Sequence, residues 1–318
     1  MPIHDLGYRA LQESTGLRMP RWWVIAQTGL RLSWKSQWLR RMLFLAWLPA
    51  VGLGSLLFLY EFSLTQPAER MGALAMLGNM PNSGPVLSSI ASNPAGSRRE
   101  VWAFLLLTLF RYPQGFLMVL VVALVAPPLI SRDMQSRAFL LYFSRPLGRV
   151  DYVLGKAIVV WTYLALITTV PALSLYVLGV FLSPDFSVIG HTWDLPLRIL
   201  GASVWLIVPT TALALCFSSM TRESRFAGFA WVAVWALGWV AYANLTALDL
   251  HGGQLDVGSF ESRWTLISLY HSLGRVQTWV FGLEQDFASV RAPITLLTGL
   301  TLISLAVLMR RISAPLRI

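Results

Sequence analysis

The sequence is poor in almost everything a soluble catalyst uses. Charged residues make up only 13% of the 318, there are four histidines, and Cys216 is the single cysteine. One cysteine cannot form an intramolecular disulfide or a cysteine metal cluster. Neither HExxH nor GxSxG occurs, which removes the metalloprotease helix and the nucleophile elbow from consideration. The phosphate-binding pattern GxxxxGK[ST] is missing too: Gly148 to Lys156 approaches it, but the spacing fails and no strand precedes it. His191, His251 and His271 lie in outer loops with scattered acids nearby and read as outer-surface polar positions rather than as metal ligands. An apolar core is absent from the first 40 residues, so the amino terminus does not have the pattern of a signal peptide.

What is present is hydrocarbon. Hydrophobic residues make up 56% of the chain and mean hydropathy is +0.61. They fall in runs of about 18 to 26, the length that crosses ~30 Å of bilayer as helix. The reading is an all-α polytopic membrane protein, a single transmembrane domain over residues 1–318. Six spans are predicted, at 42–60, 101–130, 157–182, 199–217, 226–245 and 292–309. Large outer segments lie at 61–100 and 246–291, and a tail at 310–318. The stretch 101–130, interrupted by Arg111-Tyr112-Pro113, is either one long kinked helix, the favoured alternative, or an interfacial helix over 101–110 followed by a shorter span. Segment 264–283, mixed apolar and polar, reads as an interfacial helix or hairpin on the outer surface.

Residues 1–41 hold seven basic side chains, with Trp23, Leu30, Trp34 and Trp38 at helical spacing and Arg31 and Lys35 on another face. This predicts an amphipathic helix in the interface, indoles toward acyl chains and cations toward headgroups. A solvated basic tail is the plainer alternative. Trp231, Trp235 and Trp239 recur every four residues and predict a lipid-facing or helix-packing stripe. Glu61 is expected at an outer span end. Arg111 is the one cation expected at membrane depth, a candidate for a translocation path or an arginine snorkelling to the interface.

The net charge of +10 has a topological explanation that does not need nucleic acid as a partner. With six spans, 17 of the 25 basic residues fall on the side of the termini and seven on the other, Arg111 lying within a span; ten of the 15 acids fall opposite. The positive-inside rule then puts both termini in the cytoplasm, together with the loop between spans two and three. That loop, Ala126 to Lys156, has its own features. Pro127-Pro128 makes a straight helical continuation unfavourable. Asp133 or Ser131 can cap a short helix predicted at 134–143. Ser144-Arg145-Pro146-Leu147-Gly148 is turn chemistry.

In order, Ile130-Ser131-Arg132-Asp133, Ser136, Ala138-Phe139, Leu141-Tyr142, Ser144-Arg145-Pro146-Leu147, Arg149, Asp151-Tyr152 and Leu154-Gly155-Lys156 resemble the signature loop of ABC export permeases of the second (ABC-2) type. The wider resemblance covers nearly the whole chain. It departs at Arg137, where the family commonly has glycine; the helix either continues there or Arg137 makes a charged contact. The resemblance implies a coupling helix that seats in a cleft of a separate ATPase subunit. Its interface residues would be Arg132, Asp133, Arg137, Phe139, Tyr142, Ser144, Arg145, Pro146 and Arg149. It also implies two ATPase copies, which carry the ATP and magnesium, and a second permease copy or related permease. The chain itself would hold no cofactor and catalyse nothing. The expected function is the permease of an ATP-driven exporter in a bacterial cytoplasmic membrane. The alternative is a membrane anchor relaying ATPase motion to a periplasmic or envelope partner.

Overall fold

A computed structural model describes residues 20–66, 70–94, 96–136, 148–183, 188–251 and 263–313. Everything regular in it is helical. Six helices are long and apolar enough to cross a membrane: Gln37–Thr65, Leu117–Gln135, Arg149–Leu182, Val188–Met220, Ser224–Leu248 and Phe287–Ser313. The chain is thus an all-α polytopic membrane protein.

The amino-terminal helix α1 (Arg21–Trp34) stops at Lys35, and Ser36 caps α2 (Gln37–Leu45) by accepting from the Leu39 amide. Trp38 therefore belongs to the first span and not to the same helix as Trp23 and Trp34. All three indoles are exposed. The neighbouring face of α1, at Ala26 and Gly29 with the partly buried Leu30 at its edge, packs along α9 (Arg149–Ile167). Two glycines make that crossing: a Cβ on Gly29 would sit 2.6 Å from Val159, and one on Gly155 would sit 2.8 Å from the Trp22 carbonyl oxygen.

Span one continues as α3 (Leu48–Thr65), with Pro49 harmlessly in its first turn. The following segment is not the plain loop its Gly, Pro and Ser content predicts. It contains α4 (Arg70–Gly78), laid against α3, and α5 (Gly84–Ser92). The next helix, α6 (Arg98–Gly115), gives way at Phe116 to α7 (Leu117–Val125), and Ala126 separates α7 from α8 (Pro127–Gln135). On either side of the break at Phe116, α6 lies along α3 and α10 (Thr169–Leu182) while α7 lies along α2 and α9. The stretch 101–130 is thus more than one helix, and Leu117–Gln135 alone is long and apolar enough to cross. The prolines at 127 and 128 occupy the first turn of α8, where proline lacks no needed amide, and Ala126 keeps helical dihedrals (φ −73°, ψ −42°). Helix consequently runs on through Ser131 and Asp133, and neither residue is a cap.

Span three has the same construction: α9 and α10 meet at Thr168, with Pro171 in the new first turn. The expected outer loop after it contains α11 (Val188–Thr192), and span four, α12 (Asp194–Met220), begins earlier than predicted. After Thr221–Glu223 comes α13 (Ser224–His251). Trp231 and Trp235 of its stripe are buried while Trp239 is 55% exposed, so the stripe turns from packing to lipid along its length. A 3-10 turn (Arg263–Ile267) and α14 (Leu269–Val280) precede the last span, α15 (Phe287–Ser313).

The 264–283 segment corrects the surface reading. A Cβ on Gly238, midway along α13, would lie 3.1 Å from the Ile267 carbonyl oxygen; Leu269 and Leu273 line a pocket with Pro209, Leu213 and Leu297; and the far end of α14 reaches Arg198. The segment dips to the middle of the bundle and climbs back. Its polar residues are spent inside: Ser272, Arg275 and Gln277 are all buried, which is why composition argued for a surface.

The apolar core is two bodies. One gathers α2, α7, α9, the second half of α12, Trp231 and Trp235; the other gathers α3, α6, α10, the start of α12 and Phe281. Since Gly155 admits α1 only for want of a side chain, Gly155→Leu should lower the thermal unfolding temperature of the detergent-purified protein, by overpacking worth about 1–3 kcal/mol. Gly52→Ala, which meets nothing within 4 Å, should not lower it.

Candidate functional site

The end of the bundle that carries the 137–147 loop is built from α8 and α9, the helices on either side of it. On α9, Tyr152 and Lys156 are one turn apart and face the same way. Both meet Asp133 of α8: the Tyr152 hydroxyl donates to Asp133 Oδ2 at 2.8 Å, and Lys156 Nζ lies 2.7 Å from the same oxygen. The pair is largely shielded, the Lys156 and Asp133 side chains being 10% and 15% exposed. At such a site each charge depends on the other, because neither recovers its hydration.

A second tie holds α8 from behind. Ser218 Oγ of α12, fully buried, accepts from the amides of Ile130 and Ser131, each at 3.2 Å, and donates to the Pro127 carbonyl at 2.6 Å. Ser131 donates to that same carbonyl. At the start of α9, Arg149 donates to Ser313 Oγ at 3.0 Å, joining the loop's second arm to the end of α15.

The expected interface residues divide three ways. Arg132 is exposed at the end of α8, and Arg149 is exposed at the start of α9. Asp133 is turned inward to Lys156. Arg137, Phe139, Tyr142, Ser144, Arg145 and Pro146, with most of the helix predicted at 134–143, lie outside the described residues. The helical spacing of Tyr152 and Lys156 was visible in the sequence, but their common partner on another helix was not. Ser218 gave no signal at all.

A family model described as ABC-2 family transporter protein matches residues 41–252. The chain belongs to the ABC-2 family. The match takes in the first five spans and the whole signature loop, leaving α1, α14 and α15 outside it. Comparison with curated proteins finds no match. In this ABC-2 chain, no group of three or more His, Cys, Asp and Glu side chains comes together as metal ligands among the described residues.

The opposite end is tied by charge. Glu61, expected at a span end, is 1% exposed and accepts from Arg98 Nε (3.0 Å) and from Trp102 Nε1 (2.8 Å). Arg99 and Arg198 both reach Asp194 at 2.6 Å, and Arg198 also donates to the Val280 carbonyl. Arg111 does not snorkel outward. Its guanidinium lies over the Tyr270 ring, 3.6 Å from the centroid, and donates to the Tyr270 carbonyl at 2.6 Å. A Cβ on Gly274 would fall 2.6 Å from that guanidinium, so the glycine provides the slot. Gln114 receives Arg111 Nη1 and donates to Gln277 at 2.9 Å. Arg111 thus anchors the dipping segment to α6. Its candidacy for a translocation path gains no support from this geometry.

Of these ties Ser218 gives the cleanest test. Ser218→Ala strips an acceptor from two buried amides and should cost about 1–3 kcal/mol, read as a lowered unfolding temperature with faster hydrogen exchange at Ile130 and Ser131. Wild-type exchange at both amides would contradict the bonding described.

Proposed function

We propose that this ABC-2 chain is the membrane permease of an ATP-driven exporter, moving a substrate outward across a bacterial cytoplasmic membrane with its termini and signature loop in the cytoplasm. The observation that carries the reading is the signature loop itself, suspended between two arms that are bonded to each other and to the ends of other spans. A push on such a loop is delivered to α8, α9, α12 and α15 together. Residues 137–147 supply what a docking helix needs. Phe139 and Tyr142 can fill a groove, and Arg137 and Arg145, with Arg132 and Arg149 beside them, can set its orientation by charge. The ATPase is a separate polypeptide, present twice, and brings the ATP and magnesium. The basic excess on the loop side supports the cytoplasmic orientation.

On this reading the substrate path lies between two permease copies rather than within one. Two apolar pockets inside the single chain, around Trp102 and Leu175 and around Pro209 and Leu297, hold at most about one water each. The alternative of an anchor relaying ATPase motion to an envelope partner draws on α4, whose Met71 (76% exposed) and Met76 leave apolar side chains uncovered. The two readings part at ATP-dependent substrate movement by the permease–ATPase complex alone, which only the exporter performs.

Arg145→Ala and Pro146→Ala should each leave the complex assembled and folded, yet lower substrate-stimulated ATP hydrolysis and transport in proteoliposomes. Normal stimulation in both variants would remove the loop from the coupling role.

A further inference from the structure

We infer that Asp133, Tyr152 and Lys156 form a clamp that sets the spacing of the two arms of the 137–147 loop, making the arms move as one body; as a coupling device the clamp rests on the exporter reading. Helices α8 and α9 are not among the closely packed pairs of the bundle: each packs against α12 instead, α8 also on α13, and α9 on α1 and α7. The eleven residues of the loop, at roughly 3.3–3.6 Å per extended residue, do not themselves fix the spacing of the arm tips; shared packing on α12 and any direct tie must do so. Among the described residues, Asp133 Oδ2 ties them directly, taking both the Tyr152 hydroxyl and Lys156 Nζ.

The chemistry makes this tie stiff. A carboxylate and an ammonium shielded from water attract more strongly than a surface pair, and separating them exposes each to an uncompensated burial cost. The phenol adds a directional bond to the same oxygen. Behind the clamp, Gly155 lets α1 press against α9 next to Lys156, and Ser218 holds the first turns of α8 to α12. Much of both ends of the signature is therefore used within the chain: Ser131 and Asp133 on one side, Tyr152, Gly155 and Lys156 on the other. The stretch between them is what remains for a partner. Asp133, expected at the ATPase interface, is accordingly a positioning residue.

The chain's single cysteine makes the test direct. In a Cys216→Ala background, nitroxide labels at Gln135→Cys and Val150→Cys, both exposed positions on the two arms, report the arm spacing in the full-length permease in lipid nanodiscs. A control pair at Met71→Cys and Phe181→Cys, 76% and 75% exposed, reports the other end. The clamp predicts one narrow arm distance in the parent, lost in Lys156→Met, with the control pair unmoved. Tyr152→Phe, which removes only a hydroxyl, should broaden the distance, so a folding defect in Lys156→Met would not protect the idea. The swap Asp133→Lys with Lys156→Asp should restore the narrow distance. An unchanged arm distance in both Lys156→Met and Tyr152→Phe, or a swap that restores nothing, would overturn the clamp.

The same labels in the complex purified with its ATPase separate this idea from the reading beneath it. ATP and magnesium should shift the control pair in the parent complex and not in Lys156→Met. A parental shift that survives intact in Lys156→Met would overturn the clamp as a coupling device. No shift in the parent itself would count against the exporter reading, and the arm distances measured without ATP would still decide the clamp.

Discussion

Inside ~30 Å of hydrocarbon a polar group has no water to fall back on, so every charge and every broken helical turn must find its partner within the protein. This constraint decides more of the structure than apolar packing does, because leucine is as comfortable in lipid as in a core. Glu61 is tolerable at 1% exposure only with Arg98 and Trp102 around it, and Asp133 only with Lys156 and Tyr152. Each such set draws its members from two different helices. The polar minority therefore specifies which helices are neighbours, and the apolar majority fills the space those pairings leave.

The same requirement explains the breaks. Helix is interrupted at Phe116 and Thr168, where the chain departs from helical dihedrals. Near that level the buried polar side chains gather: Thr168 returns its hydroxyl to the Leu164 carbonyl, Thr169 bonds Ser203 at 2.7 Å, and Arg111 takes the Tyr270 carbonyl. The two apolar cores meet across this waist. Charge pairs near both ends, Asp133 with Lys156 at one and Asp194 with Arg99 and Arg198 at the other, join helices within each core.

The spans were legible because a crossing helix needs a long run of apolar residues whatever it touches. The misplaced elements share one cause. Segment 264–283 was too polar for a span and was put on the surface, yet Ser272, Arg275 and Gln277 are buried because other helices supply their environment. His271, taken for an outer polar position, stacks on Tyr242 with ring centroids 3.4 Å apart. Helices α4 and α5 were hidden by glycine, proline and serine, which mark loops when read locally but here begin or flank helices packed on α3 and α6. Pro127 and Pro128 do interrupt the helix, as α7 stops at Val125, but they also begin α8, so Ser131 and Asp133 lie inside a helix instead of capping one.

The candidate site divides along the same line. The order of residues from Ile130 to Lys156 was enough to point to the ABC-2 family and to a loop between spans two and three, because motif order is a property of the chain alone. What the sequence by itself determined was thus the all-helical class, six apolar crossings, the charge asymmetry between the two sides and the loop's kinship. Which members of the signature face a partner and which face each other was decided only by tertiary structure. Asp133 and Lys156 stand 23 positions apart on separate helices, and 3.6-residue periodicity, which places side chains on a face of one helix, says nothing about which face of another helix it will meet.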